Sequence, residues 1–179
     1  MLLTRVRAAS CDKASAIRAR SAGSATAVKQ LPTFPRGRNQ LIEEAVDRAA
    51  GSVQEIIAAA GDVTPAEVFE VFVKAWRDGL VASDFRSGCP VLAGAIESSD
   101  ETPELVDAAG RALTSWRSAL AALLRRHGVT PAQARRLSNL VVAAVEGAVV
   151  LSRADRDVQP VDDVHRAVRA LLDTAVSDR

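Results

Sequence analysis

Few side chains in this sequence combine the types and the spacing that catalysis or metal binding needs. The two histidines, His127 and His165, have no cysteine or carboxylate at the spacing of metal ligands, and we expect both to face solvent near helix ends. No serine stands in a nucleophile elbow, and no glycine-rich stretch is suited to cradle a phosphate. The sequence therefore predicts a protein that is not an enzyme and that holds no metal and no cofactor.

The aromatic residues and one cysteine are candidates for ligand contact. Aromatic residues make up only 3% of the chain, and tyrosine is absent. Two phenylalanines and a tryptophan nevertheless fall within residues 65–80, where they either fill the core or line an apolar cavity. Cys89, between a glycine and a proline, is either a small buried packing residue or a thiol that contacts a ligand. The residues alone leave both alternatives open.

The most apolar segment is Pro131–Ser152, which follows the helix-start signal of Thr130. Between Leu140 and Leu151 its only charged or strongly polar residue is Glu146. A helix that is apolar nearly all round must be buried on most of its sides. Since a bilayer span needs about 20 apolar residues, the sequence predicts a buried helix that is too short to cross a membrane.

The single acid of this helix has two possible roles. Glu146 is seven residues from both Asn139 and Arg153, so all three fall on one side of the predicted helix. The carboxylate therefore either pairs with Arg153 at an interface or orients a ligand.

Small side chains form a low ridge on the same helix, at Ala143, Ala144, Gly147 and Ala148. Another backbone can approach closely along such a ridge, and a monomer of this size has little material to surround the helix fully. We therefore predict that the helix is shared between the core and a subunit interface. The alternative is the central helix of a monomeric bundle.

The rest of the chain is predicted to be all-α, because apolar residues recur at helical spacing and no strand alternation occurs. One helix should begin after the cap Asn39 and end at about residue 60, before Gly61. Threonine–proline start signals and a capping box with Glu67 mark the others. The further predicted elements are a helix from Pro65 to about residue 82, a short helix from Pro90, a polar loop at 98–102, a long helix from Pro103 to about His127, a charged loop at 153–159 and a last helix from Pro160.

The net charge of +1 conceals an asymmetry along the chain. Residues 1–38 hold eight lysines and arginines against one acid, whereas residues 39–179 hold 15 basic and 21 acidic residues. The basic stretch is either a disordered tail or an arm that neutralises nucleic-acid phosphates. Cys11 and Cys89 suggest no disulfide framework, which is typical of a reducing cytosol and predicts a cytoplasmic protein.

Four segments together resemble a known family. They are FPRGRNQLIEEAV at 34–46, FRSGCPVLAGAIES at 85–98, the helix centred on Trp116, and VVAAVEGAVVLSRADRD at 141–157. In this order and spacing they resemble the ligand-binding half of TetR-family transcriptional repressors, in particular the LmrA/YxaF-like branch. The resemblance implies an all-α ligand-binding bundle, a small apolar effector, DNA as a partner, and a homodimer in which the last two helices of each subunit form a four-helix interface.

The resemblance also implies site residues. The predicted ligand-binding residues are Phe69, Phe72, Trp76, Phe85, Cys89, Trp116 and Leu120. The predicted dimer interface consists of Leu140, Ala144, Gly147, Ala148, Leu151, Val164, Val168 and Leu171. The predicted DNA contacts are Lys29, Arg36 and Arg38.

The front of the chain departs from the family pattern. Only 33 residues precede Phe34, whereas the helix-turn-helix domain of the family has about 45–50 residues there. Pro32 would also break a recognition helix at this point. We therefore expect residues 1–38 to be a basic, disordered remnant of the DNA-binding region, residues 39–179 to be the ligand-binding and dimerisation domain, and DNA binding to be weak and without sequence preference. A dimerising helical module that has lost DNA binding is the alternative function.

Overall fold

The computed structural model describes residues 38–58, 61–96 and 103–177, and every regular element in these ranges is an α-helix. The all-α prediction is thereby confirmed. The helices are α1 (Arg38–Ala58), α2 (Pro65–Ala82), α3 (Pro90–Ile96), α4 (Pro103–Arg126), α5 (Pro131–Asp155) and α6 (Gln159–Ser177).

The helix starts follow local chemistry that the sequence displays. At α2 the backbone N–H of Thr64 donates to Glu67 Oε2 at 3.0 Å, while the backbone N–H of Glu67 donates to Thr64 Oγ1 at 3.3 Å. This is the predicted capping box, and it satisfies two amides that have no partner within the helix. Thr130 caps α5 in the same way through the N–H of Gln133. The hydrogen bonds that the Glu67 carboxylate accepts from the side chain and the backbone of Thr64 lower the pKa of Glu67.

Several predicted boundaries are wrong by a few residues. Helix α1 begins at Arg38, so Asn39 lies inside the helix and does not cap it. The central helix continues to Asp155, so the first three residues of the predicted charged loop at 153–159 are helical. Arg156 ends it in a left-handed conformation, with φ of 54°, and its backbone N–H donates to the carbonyl of Ser152.

The helices pack in the spatial order α1, α4, α5, α6, α2, with α3 against both α1 and α4. A large core cluster joins α2, α5, α6 and the second half of α4, around the fully buried Leu80, Leu123 and Leu172. A smaller cluster joins α1, α3 and α4 around Val46 and Val91. The site described below lies where the two clusters meet, since Val53, one of its lining residues, packs against both.

Helix α5 corrects one expectation about membranes. It has 25 residues and is long and apolar enough, by length and composition, to cross a bilayer, so the prediction that it is too short was wrong. A core helix of a soluble protein passes the same test. Here α5 buries Ser138, Glu146, Ser152 and three of its valines (Val141, Val145 and Val149), whereas Leu140, Val150 and Leu151 are about half exposed, so the helix is buried on one side only.

Four sequence predictions lie outside the described residues. They concern the basic segment before residue 38, the turn at 34–37, the exact end of α1 at 59–60 and the loop at 98–102. The glycine stops are described and are confirmed: Gly61 has φ of 56° and Gly128 has φ of 86°, backbone conformations that glycine adopts without a Cβ clash.

Candidate functional site

An apolar cavity of about 60 Å³ lies between α1, α2, α4 and α5. Its walls are aliphatic and aromatic, with a single ionisable side chain, that of Glu146. Apolar walls with few convergent polar groups are typical of small-molecule sites. Such sites usually measure about 300–1,000 Å³, so a drug-sized ligand requires this cavity to widen. The lining residues are Val53, Ile56, Ile57, Val68, Phe69, Phe72, Trp116, Leu120, Val141, Val142, Val145 and Glu146.

The structure brings together four of the seven predicted ligand-binding residues. Phe69, Phe72, Trp116 and Leu120 line the cavity from α2 and α4. The Trp116 ring is held by a hydrogen bond from its Nε1 to the carbonyl of Ala50 at 3.3 Å, and this bond ties α4 to α1. These four residues remain predicted ligand contacts, and they lie around the same cavity.

The other three predicted residues lie elsewhere. Trp76 meets Phe72 edge to face, with ring centroids 6.4 Å apart, and borders a much smaller void beside α5 and α6. Phe85 follows α2 in a left-handed conformation, with φ of 57°, and borders a shallow surface depression near Arg153. Cys89 is buried in the smaller core cluster and does not line the cavity.

The aliphatic half of the cavity wall was not predicted from the sequence. It consists of Val53, Ile56 and Ile57 of α1 and of Val141 and Val145 of α5. Periodicity identifies such residues as inward-facing, but it cannot distinguish a cavity wall from a filled core.

Glu146 stands at the boundary between the cavity and a wider groove. The groove, of about 800 Å³, lies between α4 and α5, and Glu146 and Val142 line both spaces. Arg117, Thr114 and Asn139 are among the polar residues of the groove. Glu146 therefore lies between an open surface channel and the apolar interior.

The environment of the Glu146 carboxylate is unusual for a charged group. The side chain is 7% exposed, and its Oε2 has no hydrogen-bond partner among the described residues. The Cys89 thiol donates a hydrogen bond to the carboxylate. Burial raises the pKa of Glu146, because an apolar surrounding disfavours the charged form. Burial, with the nearby carboxylate, also raises the pKa of Cys89 to about 12, so the thiol keeps its proton at neutral pH.

The expected solvent exposure of His165 is wrong, and the alternative in which Glu146 pairs with Arg153 is not seen among the described residues of one subunit. No ion pair joins Glu146 to Arg153 in the described part of the chain. The Arg153 guanidinium instead lies over Gly88, where a Cβ would come within 3.1 Å of its Cζ. His165 does not simply face solvent: its ring lies 5.9 Å from that of Phe69, and its Nε2 is buried.

The predicted interface residues divide into two groups. Leu140, Leu151 and Leu171 are about half exposed, and Gly147 is exposed with no heavy atom within 4 Å of a Cβ placed there. In contrast, Ala148 and Val168 are buried within the subunit, and Ala144 and Val164 pack partly against the large cluster. The exposed set runs along the outer sides of α5 and α6.

The predicted DNA contacts are not located by the structure. Lys29 and Arg36 lie outside the described residues, and Arg38 is described only as the first residue of α1. Within the described ranges, no group of three or more histidine, cysteine, aspartate or glutamate side chains is placed to hold a metal ion.

Comparison with known proteins relates this geometry to one family. The profile of the transcriptional regulator LmrA/YxaF-like C-terminal domain matches residues 65–167. An uncharacterized HTH-type transcriptional regulator of Mycobacterium tuberculosis is 34% identical over 152 residues, which cover 82% of this chain and 77% of the relative. The HTH-type transcriptional regulator LmrA of Bacillus subtilis is 28% identical over 141 residues, covering 78% and 75% of the two chains.

Proposed function

Because this chain belongs to the TetR-like family of transcriptional regulators, in its LmrA/YxaF-like branch, we propose that it is a homodimeric, cytoplasmic repressor released by a small apolar effector. The family match covers α2 to α5 and the first half of α6, which supply most of the cavity wall, while α1 adds Val53, Ile56 and Ile57. The observation that supports a small apolar effector is the cavity itself, which has apolar walls and one polar side chain.

The position of the cavity supports control by a ligand. It touches α1, α2, α4 and α5, so a ligand inside it contacts four of the six described helices at once. A ligand shifts a conformational equilibrium only by its difference in affinity between two states. Helix α1 is the described element next to the basic segment, and three of its residues line the cavity. A ligand that changes the packing of α1 would therefore also affect the basic segment that precedes this helix in the sequence.

The exposed face of α5 and α6 supports the homodimer. Leu140, Val150, Leu151 and Leu171 are each between 46% and 55% exposed, and Gly147 allows a second helix to approach. Half-exposed large apolar side chains on two helices that pack together support a subunit interface here. Burial of such side chains stabilises association at roughly 25 cal/mol per Å².

DNA binding is tested by fluorescence anisotropy at about physiological salt. The probe is duplex DNA from around the protein's own gene, with scrambled DNA of equal length as control. The repressor proposal expects preference for the first DNA and release on addition of an apolar ligand such as 4-phenylbutan-1-ol. Equal, weak and strongly salt-dependent binding to both would favour the alternative, a dimerising module that has lost DNA binding.

Effector binding has its own test. Val145→Phe places a larger side chain at the cavity wall, and we expect it to abolish the response of tryptophan fluorescence to 4-phenylbutan-1-ol. Val106→Phe, on the exposed side of α4, is the matched control and should leave the response unchanged. An unchanged response in both variants would place the effector elsewhere.

A further inference from the structure

A buried carboxylate with a free oxygen needs a physical explanation. Glu146 is the only ionisable side chain in the cavity wall, it is more than nine-tenths buried, and its Oε2 has no partner in the part of the chain that the structure describes. An unpaired buried charge costs free energy, and such groups are usually neutralised or matched by a partner. From this geometry we propose that the effector is a lipophilic amine whose ammonium group pairs with Glu146. This inference rests on the proposed effector cavity.

Within one subunit, the described residues supply no cation for this carboxylate. Arg153, on the same side of α5, lies over Gly88. Arg117, which shares the groove, donates to the carbonyl of Leu113 and to Thr114 Oγ1 on its own helix. The thiol of Cys89 is a weak donor and leaves Oε2 free. A bound ligand can supply the positive charge that the described residues of this subunit do not.

The surrounding groups suit a cation with an apolar body. Phe69, Phe72 and Trp116 line the same cavity, and aromatic faces attract a desolvated ammonium group. Because Glu146 borders both spaces, a ligand can place its apolar body in the cavity and its amine at Glu146, on the side of the groove. Gly147, Val150 and Leu151, which also line the groove, belong to the proposed dimer face.

The protonation balance is also consistent with an amine. Burial raises the pKa of Glu146, so the unliganded carboxyl retains its proton more readily than an exposed glutamate does. An incoming neutral amine accepts this proton, and the resulting ammonium and carboxylate form a charge-assisted hydrogen bond. An incoming ammonium group instead pairs with the Glu146 carboxylate after the carboxyl group has released its proton to solvent.

The test compares two probes of the same shape, 4-phenylbutylamine and 4-phenylbutan-1-ol, by isothermal titration calorimetry on the full chain. We expect the amine to bind about 10-fold or more tightly than the alcohol, because a hydrogen bond to a charged group contributes more than a neutral one. Glu146→Gln should remove this preference and leave the alcohol within about 3-fold of its original affinity. Asp155→Asn, an exposed carboxylate at the end of α5, is the matched control and should change neither affinity.

The outcomes separate the two proposals. If the alcohol binds and the amine binds no more tightly, the amine inference is overturned while the effector cavity stands. A preference for the amine that persists in Glu146→Gln also overturns the role of Glu146. Binding of neither probe to the wild type overturns the effector cavity and this inference together. If Glu146→Gln fails to fold, a wild type that binds the alcohol and shows no preference for the amine still overturns the inference.

Discussion

The thiol of Cys89 donates a hydrogen bond to the carboxylate of Glu146, and the two residues belong to the two segments, GCP and EGA, that carry much of the family resemblance. A second contact joins the same segments, since Arg153 lies over Gly88. Cys89 comes just before α3 and Glu146 lies near the middle of α5, so these contacts connect the smaller core cluster to the central helix. The cysteine is therefore a residue that positions the glutamate from behind the cavity wall.

Replacement of Glu146 by glutamine should change how stability depends on pH. The folded-state pKa of Glu146 is raised above its ordinary value of 4.5, so this group contributes stability at low pH that is lost as the pH rises through the folded pKa. We expect the free energy of unfolding of Glu146→Gln to rise, relative to that of the wild type, by about 1–3 kcal/mol from pH 5 to pH 8. The reason is that the variant has no unpaired buried charge at the higher pH. Urea unfolding at both pH values measures this gain. Asp155→Asn should follow the wild type, and parallel pH profiles for wild type and Glu146→Gln would contradict the prediction.

Replacement of Gly147 by arginine should give a folded monomer. No heavy atom lies within 4 Å of a Cβ at Gly147, and arginine favours a helix more than glycine does by about 0.8–1 kcal/mol, so the subunit itself should tolerate the change. A charged side chain in the middle of the exposed face should nevertheless prevent pairing. Sedimentation velocity at micromolar concentration measures the change in mass.

Two further variants control the test of the dimer. Gly79→Arg, at an equally open helical position on α2, should remain dimeric. Ala144→Arg should lose stability as well as pairing, because Ala144 packs partly against the large core cluster. A monomeric wild type would refute the proposed interface.

Removal of the Thr64 hydroxyl should weaken the start of α2. Thr64→Ala loses the hydrogen bond from the Glu67 backbone amide, and loss of such a cap costs about 1 kcal/mol. Thermal unfolding followed by circular dichroism should show a lower midpoint. Thr114→Ala is the control, since Thr114 is exposed in the interior of α4, where alanine is the better helix former. Equal midpoints for Thr64→Ala and the wild type would show that the capping box contributes little.

The two tryptophans should respond differently to a ligand. Trp116 lines the cavity, whereas Trp76 lies beside it and contacts Phe72. We expect 4-phenylbutan-1-ol to change the emission of Trp76→Phe, which retains Trp116, and to leave that of Trp116→Phe nearly unchanged. Fluorescence titration with excitation at the tryptophan band measures both. A response carried by Trp76 alone would move the binding site toward the smaller void near α6.

The sequence by itself determined the helices, because their signals are local. Threonine–proline pairs, the Thr64 capping box and the two glycine stops act within one turn of the chain, and apolar spacing shows which side of each helix is buried. The order of short motifs also indicated the family. Boundaries failed at Asn39 and at residues 153–155, where the polar sequence pattern resembles a loop but the helix continues.

Only the tertiary structure decided which inward-facing residues share a cavity and which fill the core. Phe72 and Trp76 are four residues apart on the same helix, yet the first lines the main cavity and the second does not. The partner of Glu146 is likewise decided by packing. Arg153 is one of its nearest charged neighbours along α5, but the Arg153 side chain lies against Gly88. The actual partner is Cys89, from a distant segment. Helical periodicity gives the direction of a side chain from its own axis, whereas a cavity and a buried hydrogen bond depend on the residues that other helices bring to the same place.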